Sequence, residues 1–123
     1  MGHWIQLIDP DTGETLEMDE RFVDGGTYPS DGTNECELSV TYNYGRIYAK
    51  VLPHDGSETN GAISWLYGKT GAETLPALLA AVAELGTLRD ADYWKTTEGN
   101  AGAALARLTA FAAAHPEGIW EGD

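Results

Sequence analysis

Aromatic and amide side chains that lie beside glycine are the residues of this sequence best suited to act together on a ligand. They recur in G-G-T-Y at 25–28, T-Y-N-Y-G at 41–45, L-Y-G-K-T-G at 66–71, D-Y-W at 92–94 and E-G-N-A at 98–101. Aromatic faces stack on planar rings, amide and hydroxyl groups bind polar edges, and glycine lets the backbone approach a ligand. This composition is typical of a pocket for a purine-like ring.

The predicted ligand-binding residues are Tyr28, Asn43, Tyr44, Tyr67, Lys69, Thr70, Trp94 and Asn100. The aromatic residues would stack on the ring or enclose it, the asparagines and the threonine would supply hydrogen bonds, and the lysine would contact a phosphate. Asn43 is the strongest single candidate, because it lies between two tyrosines where a strand pattern changes to a helix pattern. The alternative interpretation is that the tyrosines cover the core with their hydroxyl groups in water.

The segment W-L-Y-G-K-T-G-A-E at 65–73 predicts a helix start. Thr70 and Glu73 match the capping box, in which each side chain bonds the backbone N–H of the other residue. Lys69 precedes this start, where free N–H groups and the helix dipole favour an anion. The alternative is a well-formed turn into a helix and nothing more. A P-loop is excluded, because six residues separate Gly61 from Gly68 where that motif has four.

Other kinds of catalytic or metal site find little support. The three histidines, His3, His54 and His115, lie far apart, and Cys36 is the single cysteine, so neither a metal nor a cofactor is predicted. Neither Ser39 nor Ser64 lies in a G-x-S-x-G elbow. A small hydrolase is therefore the third and least supported hypothesis, and a non-catalytic protein is expected.

Length and composition predict a single domain at residues 1–123. Hydrophobic residues make up 42% of the chain and the mean hydropathy is -0.31, which is typical of a globular protein. No apolar run approaches the ~20 residues of a membrane span. The start M-G-H-W-I-Q does not match a signal peptide, and one cysteine suits a reducing compartment, so we expect a cytoplasmic protein without membrane contact.

The formal net charge of -13, from 20 acidic and 7 basic residues, opposes direct binding to nucleic acid. It leaves two alternatives open for a protein partner. The acids could keep the protein soluble, or they could imitate nucleic acid and occupy a basic groove of a host protein. An acidic protein–protein inhibitor is thus the second hypothesis, and self-association into a homo-oligomer is left open.

Sequence patterns place the strands in the N-terminal third. Residues 4–18 predict a β-hairpin around the turn D-P-D-T-G-E. Residues 19–35 predict a long loop, and residues 35–42 a third strand with Cys36, Leu38, Val40 and Tyr42 on one face.

Helix patterns follow the strands. A helix is expected from Tyr44 to Pro53, a variable loop at 54–61, and a short helical piece at 62–67. The helix after Thr70 should end at Gly86, and 87–99 should connect it to a helix at about 100–115 followed by a tail. The predicted buried stripe of the helix after Thr70 is Leu75, Leu78, Leu79, Val82 and Leu85. Strands followed by helices predict an α+β fold, with a small antiparallel sheet packed against three to four helices.

Taken together, these motifs resemble a family of small, mostly uncharacterised phage and prophage proteins. The shared pattern is D-P-D-T-G-E-T-L-E, G-G-T-Y, T-Y-N-Y-G, W-L-Y-G-K-T-G-A-E-T-L-P, D-Y-W-K-T-T-E-G-N-A and H-P-E-G-I-W-E-G-D. The chain departs from it at P-S-D-G-T-N-E after Tyr28 and in the longer loop H-D-G-S-E-T-N-G. The resemblance implies a phage accessory protein, such as one that counters host defence. Together with the pocket composition, it leads to the first hypothesis, a non-catalytic protein that binds and sequesters a nucleotide-like molecule.

Overall fold

The computed structural model describes residues 2–53 and 62–122. The strands are β1 Gly2–Ile8, β2 Glu17–Phe22, β3 Thr33–Glu35, β4 Glu37–Thr41 and β5 Ile119–Gly122. The α-helices are α1 Gly45–Val51, α2 Gly71–Leu85 and α3 Glu98–Ala114, and 3-10 turns lie at Tyr42–Tyr44 and Ala62–Leu66. The predicted α+β class, with small antiparallel sheets and three α-helices, is confirmed. The predicted loop at 54–61 lies outside the described residues.

The larger sheet has three antiparallel strands in the order β4-β1-β5, so β1 lies at its centre. Ile5 pairs with Leu38 of β4 on one side and with Gly122 of β5 on the other. Every second residue of β1 is buried, namely His3, Ile5 and Leu7. The alternation gives β1 one face in the core and one face turned outward.

The predicted hairpin at 4–18 is confirmed next to its turn, where Leu16 N–H bonds the Leu7 carbonyl at 2.9 Å and Ile8 pairs with Thr15, and it is wrong beyond Leu16. The turn forms as expected, since Asp9 N–H bonds the Glu14 carbonyl at 2.8 Å and Gly13 has a φ of 76°. β2, however, pairs with β3 in a separate two-stranded sheet. The predicted loop at 19–35 is therefore also wrong, because it contains the end of β2 and all of β3.

The third predicted strand is confirmed as β4, with one error. Cys36, Leu38 and Val40 are buried as expected, whereas Tyr42 is 40% exposed. Tyr42 begins the 3-10 turn after β4 and so leaves the alternation of the strand. The helix predicted from Tyr44 is confirmed as this turn followed by α1, and Tyr48 donates a hydrogen bond to the Ala101 carbonyl at 3.0 Å.

Helix α2 begins as predicted, and of its predicted stripe Leu75, Leu78, Val82 and Leu85 pack in or against the core while Leu79 does not. Both capping-box bonds form, Thr70 N–H to Glu73 at 3.1 Å and Glu73 N–H to the Thr70 hydroxyl at 3.0 Å, and Gly86 ends the helix. Leu78 is fully buried, but Leu79 is 53% exposed. The buried positions are Gly71, Thr74, Leu78, Ala81 and Leu85, so small residues let α3 approach closely where a leucine stripe was expected.

The predicted C-terminal tail is a strand. β5 pairs with β1, and the Trp120 side chain is 1% exposed, with its indole N–H bonded to the Thr74 hydroxyl at 2.7 Å. The tail prediction is wrong because a four-residue strand has too short a pattern to recognise. Among the described helices, none has the length and apolar character needed to cross a lipid bilayer.

Candidate functional site

A cavity of about 300 Å³ lies where β1 begins and β4 ends. Its lining residues are Gly2, Tyr28, Ser39, Thr41, Asn43 and Trp94. Gly2 pairs with Thr41 in the sheet, and Ser39 and Thr41 alternate with the core residues Leu38 and Val40. The cavity therefore lies on the outward face of the sheet. Three of the predicted site residues, from three separate segments of the chain, meet here.

Two exposed aromatic side chains supply the apolar surface of this cavity. Tyr28 is 69% exposed and stacks on Trp4 with ring centroids 5.0 Å apart and an interplanar angle of 29°. Trp94 is 43% exposed and meets Tyr93 edge to face at 4.7 Å. Each ring is thus supported by a neighbouring ring while part of its surface stays open to a ligand.

Asn43 presents its carbonyl oxygen as an unused acceptor. Its Nδ2 donates to the Trp94 carbonyl at 3.3 Å, and its backbone N–H donates to the Thr41 hydroxyl at 3.2 Å. A carbonyl can only accept, so the first bond fixes which way the amide faces. Within the described residues, Asn43 Oδ1 forms no hydrogen bond, and the Thr41 hydroxyl keeps its proton to donate. The cavity thus offers one acceptor and one donor side by side.

Asn100 holds the loop that carries Trp94, and the predicted ligand contact is wrong for it. The side chain is buried, and its Oδ1 accepts from Asp90 N–H at 2.8 Å. Its Nδ2 donates to the Asp92 carbonyl at 2.9 Å and to the Lys95 carbonyl at 3.0 Å. These bonds occupy the amide, so Asn100 positions the wall of the cavity and does not reach a ligand.

Tyr44 is a core residue, although its hydroxyl is bonded within the protein and not placed in water as the alternative interpretation of the tyrosines held. Its side chain is fully buried, and its hydroxyl donates to the Tyr93 carbonyl. Burial, with the nearby Asp92 carboxylate as a smaller cause, raises the pKa of Tyr44 to about 12. Tyr44 therefore supports the Trp94 loop from behind and cannot stack on a ligand.

The remaining three predicted site residues lie beside β5 and do not line the cavity. Tyr67 packs against Gly122, and its hydroxyl lies 3.3 Å from His3 Nδ1. Lys69 Nζ donates to the Trp65 carbonyl at 2.6 Å and lies 4.9 Å from the centre of the Trp65 ring. The Lys69 ammonium is thus bound within the protein.

Backbone N–H groups at the start of α2 already donate to acceptors within the protein. Gly71 N–H bonds the Gly118 carbonyl and Ala72 N–H bonds the Pro116 carbonyl, both at 2.9 Å, in addition to the Thr70 and Glu73 capping bonds. The backbone N–H of Thr70 lowers the pKa of the Glu73 carboxyl, which supplies the negative charge that a helix start favours. The anion contact predicted for Lys69 and Thr70 is not supported, and the plain helix entry is what forms.

Sequence reasoning missed Ser39 and Thr41, which line the cavity floor. Both are buried hydroxyl residues that alternate with the apolar Leu38 and Val40 of β4, and the Tyr28 hydroxyl lies 3.4 Å from Ser39 Oγ. Two hydroxyl residues on the same side of a short strand were the sequence pattern that could have indicated a polar cavity wall there. No charged residue lines the cavity within the described residues, and these contain no cluster of His, Cys, Asp and Glu suited to a metal ion.

No protein-family model matches this chain, and neither the curated proteins nor the solved structures contain a significant match to it.

Proposed function

We propose that this protein binds and sequesters a small nucleotide-like ligand without catalysis, as an accessory protein of a phage or prophage. The observation that carries the proposal is the meeting of Tyr28, Asn43 and Trp94 in one cavity. Two open aromatic faces and one unpaired acceptor are the parts that bind a planar heterocycle by stacking and by its polar edge. The sequence resemblance to phage proteins supports a counter-defence role. The protein would act in the cytoplasm of the host cell.

The charge of the site favours the base of such a ligand over its phosphates. The cavity lining is uncharged, whereas the whole chain carries a net charge of -13. The nearest lysine in sequence, Lys95, is paired with Asp90 at 3.6 Å. A phosphate would therefore lie outside the cavity, in a repulsive field that added salt weakens.

The contacts of the potential nucleophiles support binding without turnover. Ser39 Oγ accepts a hydrogen bond from the Tyr28 hydroxyl at 3.4 Å, whereas a serine nucleophile is activated by giving its own proton to a base. Burial raises the pKa of the Cys36 thiol to about 12, so the reactive thiolate is scarce at neutral pH.

Titration of purified protein with adenosine, guanosine and their 5′-monophosphates, followed by tryptophan fluorescence and calorimetry, tests the proposal. We expect a nucleoside to bind more tightly than its monophosphate at low salt, and the difference to shrink as salt is added. Trp94→Ala and Tyr28→Ala should each weaken binding by about 1–3 kcal/mol, the usual contribution of a stacked ring.

Tyr42→Ala is the matched control, because Tyr42 is also a partly exposed tyrosine near β4 but does not line the cavity. Its binding should equal that of the parent protein. If none of these compounds binds, or if Tyr42→Ala weakens binding as much as Trp94→Ala, the cavity is not the site.

A further inference from the structure

Strand β2 has one side without a strand partner, in contrast to the edges of the larger sheet. The outer edge of β5 is covered, since Gly68 N–H bonds the Trp120 carbonyl and Trp120 N–H bonds the Lys69 carbonyl, both at 2.9 Å. The outer edge of β4 is bonded at Ser39 to the Gly26 carbonyl. Within the described residues, β3 is the one strand that pairs with β2, and that pairing is irregular between Glu17 and Phe22. The Glu17 carbonyl lies 2.6 Å from His115 Nε2, so the uncovered part of the edge begins after Glu17. An uncovered strand edge is a template for another extended chain.

A groove of about 610 Å³ lies beside this strand. We call it the β2 groove, and it is lined by the six β2 residues Glu17–Phe22 together with Arg107, Ala114 and His115. It is about twice the volume of the candidate ligand cavity and shares no residue with it. Six strand residues extend over roughly 20 Å, which matches a short peptide in length.

The unpaired charge of the β2 groove is negative. Arg107 is bonded to Asp24 at 2.7 Å, and Arg21 is paired with Asp31 at 3.6 Å, so the cations of the groove already have partners. Asp19 and Glu20 are exposed and form no ion pair within the described residues. A cationic occupant would therefore meet two uncompensated carboxylates.

We propose that the β2 groove binds an extended, lysine- or arginine-rich segment of another protein, which adds to the sheet as a third strand beside β2. Backbone hydrogen bonds to β2 would hold the segment, and its cations would face Asp19 and Glu20. A second copy of this chain fits poorly, because β2 pairing with itself would bring like charges together. The inference does not depend on the small-molecule cavity. It names the surface through which the acidic protein–protein inhibitor of the second hypothesis would bind its partner.

The probe is a dye-labelled, capped hexapeptide with two adjacent lysines at its centre and valines elsewhere, so that its lysines point to opposite faces as the adjacent Asp19 and Glu20 do. Binding is followed by fluorescence anisotropy at low salt. The intact protein should bind it saturably. The same peptide with every backbone amide N-methylated keeps its charge and side chains but cannot pair with a strand, so its affinity should fall at least about tenfold. Equal affinity for the two peptides, or no binding of either, would overturn the proposal.

Charge reversal tests the role of the carboxylates. The double variant Asp19→Lys/Glu20→Lys should lose at least about tenfold in affinity for the lysine peptide. The matched control is Asp11→Lys/Glu14→Lys, which changes the net charge equally at two exposed turn residues outside the groove. A loss in the control as large as in the groove variant would mean that net charge alone attracts the peptide, and would overturn the site. Trp94→Ala should bind the peptide like the parent, which separates this test from that of the cavity.

Discussion

Replacing Asn100 should show that one buried amide holds the wall of the candidate site. Asn100→Ala removes three side-chain hydrogen bonds, to Asp90 N–H and to the carbonyls of Asp92 and Lys95. At a net contribution of roughly 0.5–1.5 kcal/mol for each bond, the free energy of unfolding should fall by about 2–4 kcal/mol. The lost bonds also release the loop of Trp94, so ligand binding should weaken although Asn100 does not line the cavity.

Urea unfolding, read separately by far-ultraviolet circular dichroism and by tryptophan fluorescence, measures both effects. Asn100→Asp has almost the same shape but turns a carboxylate towards the two carbonyl oxygens, so at neutral pH it should destabilise at least as much as alanine. Asn34→Ala is the control, because Asn34 also donates to a carbonyl, that of Met18 at 3.4 Å, but is not buried. It should cost less than about 1 kcal/mol. An Asn100→Ala protein within about 0.5 kcal/mol of the parent would refute this account of the loop.

Three further predictions concern the helices. Leu78→Ala should reduce the free energy of unfolding by about 2–5 kcal/mol, whereas Leu79→Ala, one residue further and 53% exposed, should cost less than about 1 kcal/mol in the same urea titration; equal costs would contradict the buried stripe. Gly102→Ala should lower the melting temperature, because a Cβ there would lie 1.7 Å from the Gly86 carbonyl oxygen; an unchanged melting temperature would show that α2 and α3 are not so close. The lowered pKa of Glu73 contributes stability that is present above its usual value of 4.5 and is lost as the pH falls through the folded-state value; Glu73→Gln should remove this acid-side loss from a plot of urea midpoint against pH.

Local patterns predicted those parts of the fold that depend on neighbours in sequence. The capping box of Thr70 and Glu73 is satisfied within four residues, and it formed as expected. The predicted buried stripe of α2 was wrong at Leu79. The partner helix α3 has alanine and glycine at the contact, so the small residues of α2 face it and Leu79 does not. Propensity alone does not reveal what faces a helix.

Long-range pairing explains the other failures. Next to the turn β1 pairs with Thr15 and Leu16, but its two partner strands come from distant segments, so nothing near residues 9–18 could show that the second arm of the hairpin continues into a pairing with β3. The same limit applies to the site. Three residues chosen from composition, Tyr28, Asn43 and Trp94, line one cavity, but composition could not distinguish an aromatic residue on the outward face from Tyr44 in the core.

The position of β5 has a consequence for how the protein is made. Gln6 and Glu121 lie side by side across β1 and β5, although 115 residues separate them in the chain. During synthesis the central strand therefore keeps one edge unpaired until β5 has left the ribosome. A message cut short before residue 119 would still encode α2 and α3, but Thr74 would lose the Trp120 indole and the sheet would keep an open edge. Such a fragment would be a substrate for chaperones and proteases, so the cell would accumulate chains that include β5 far more readily than chains that lack it.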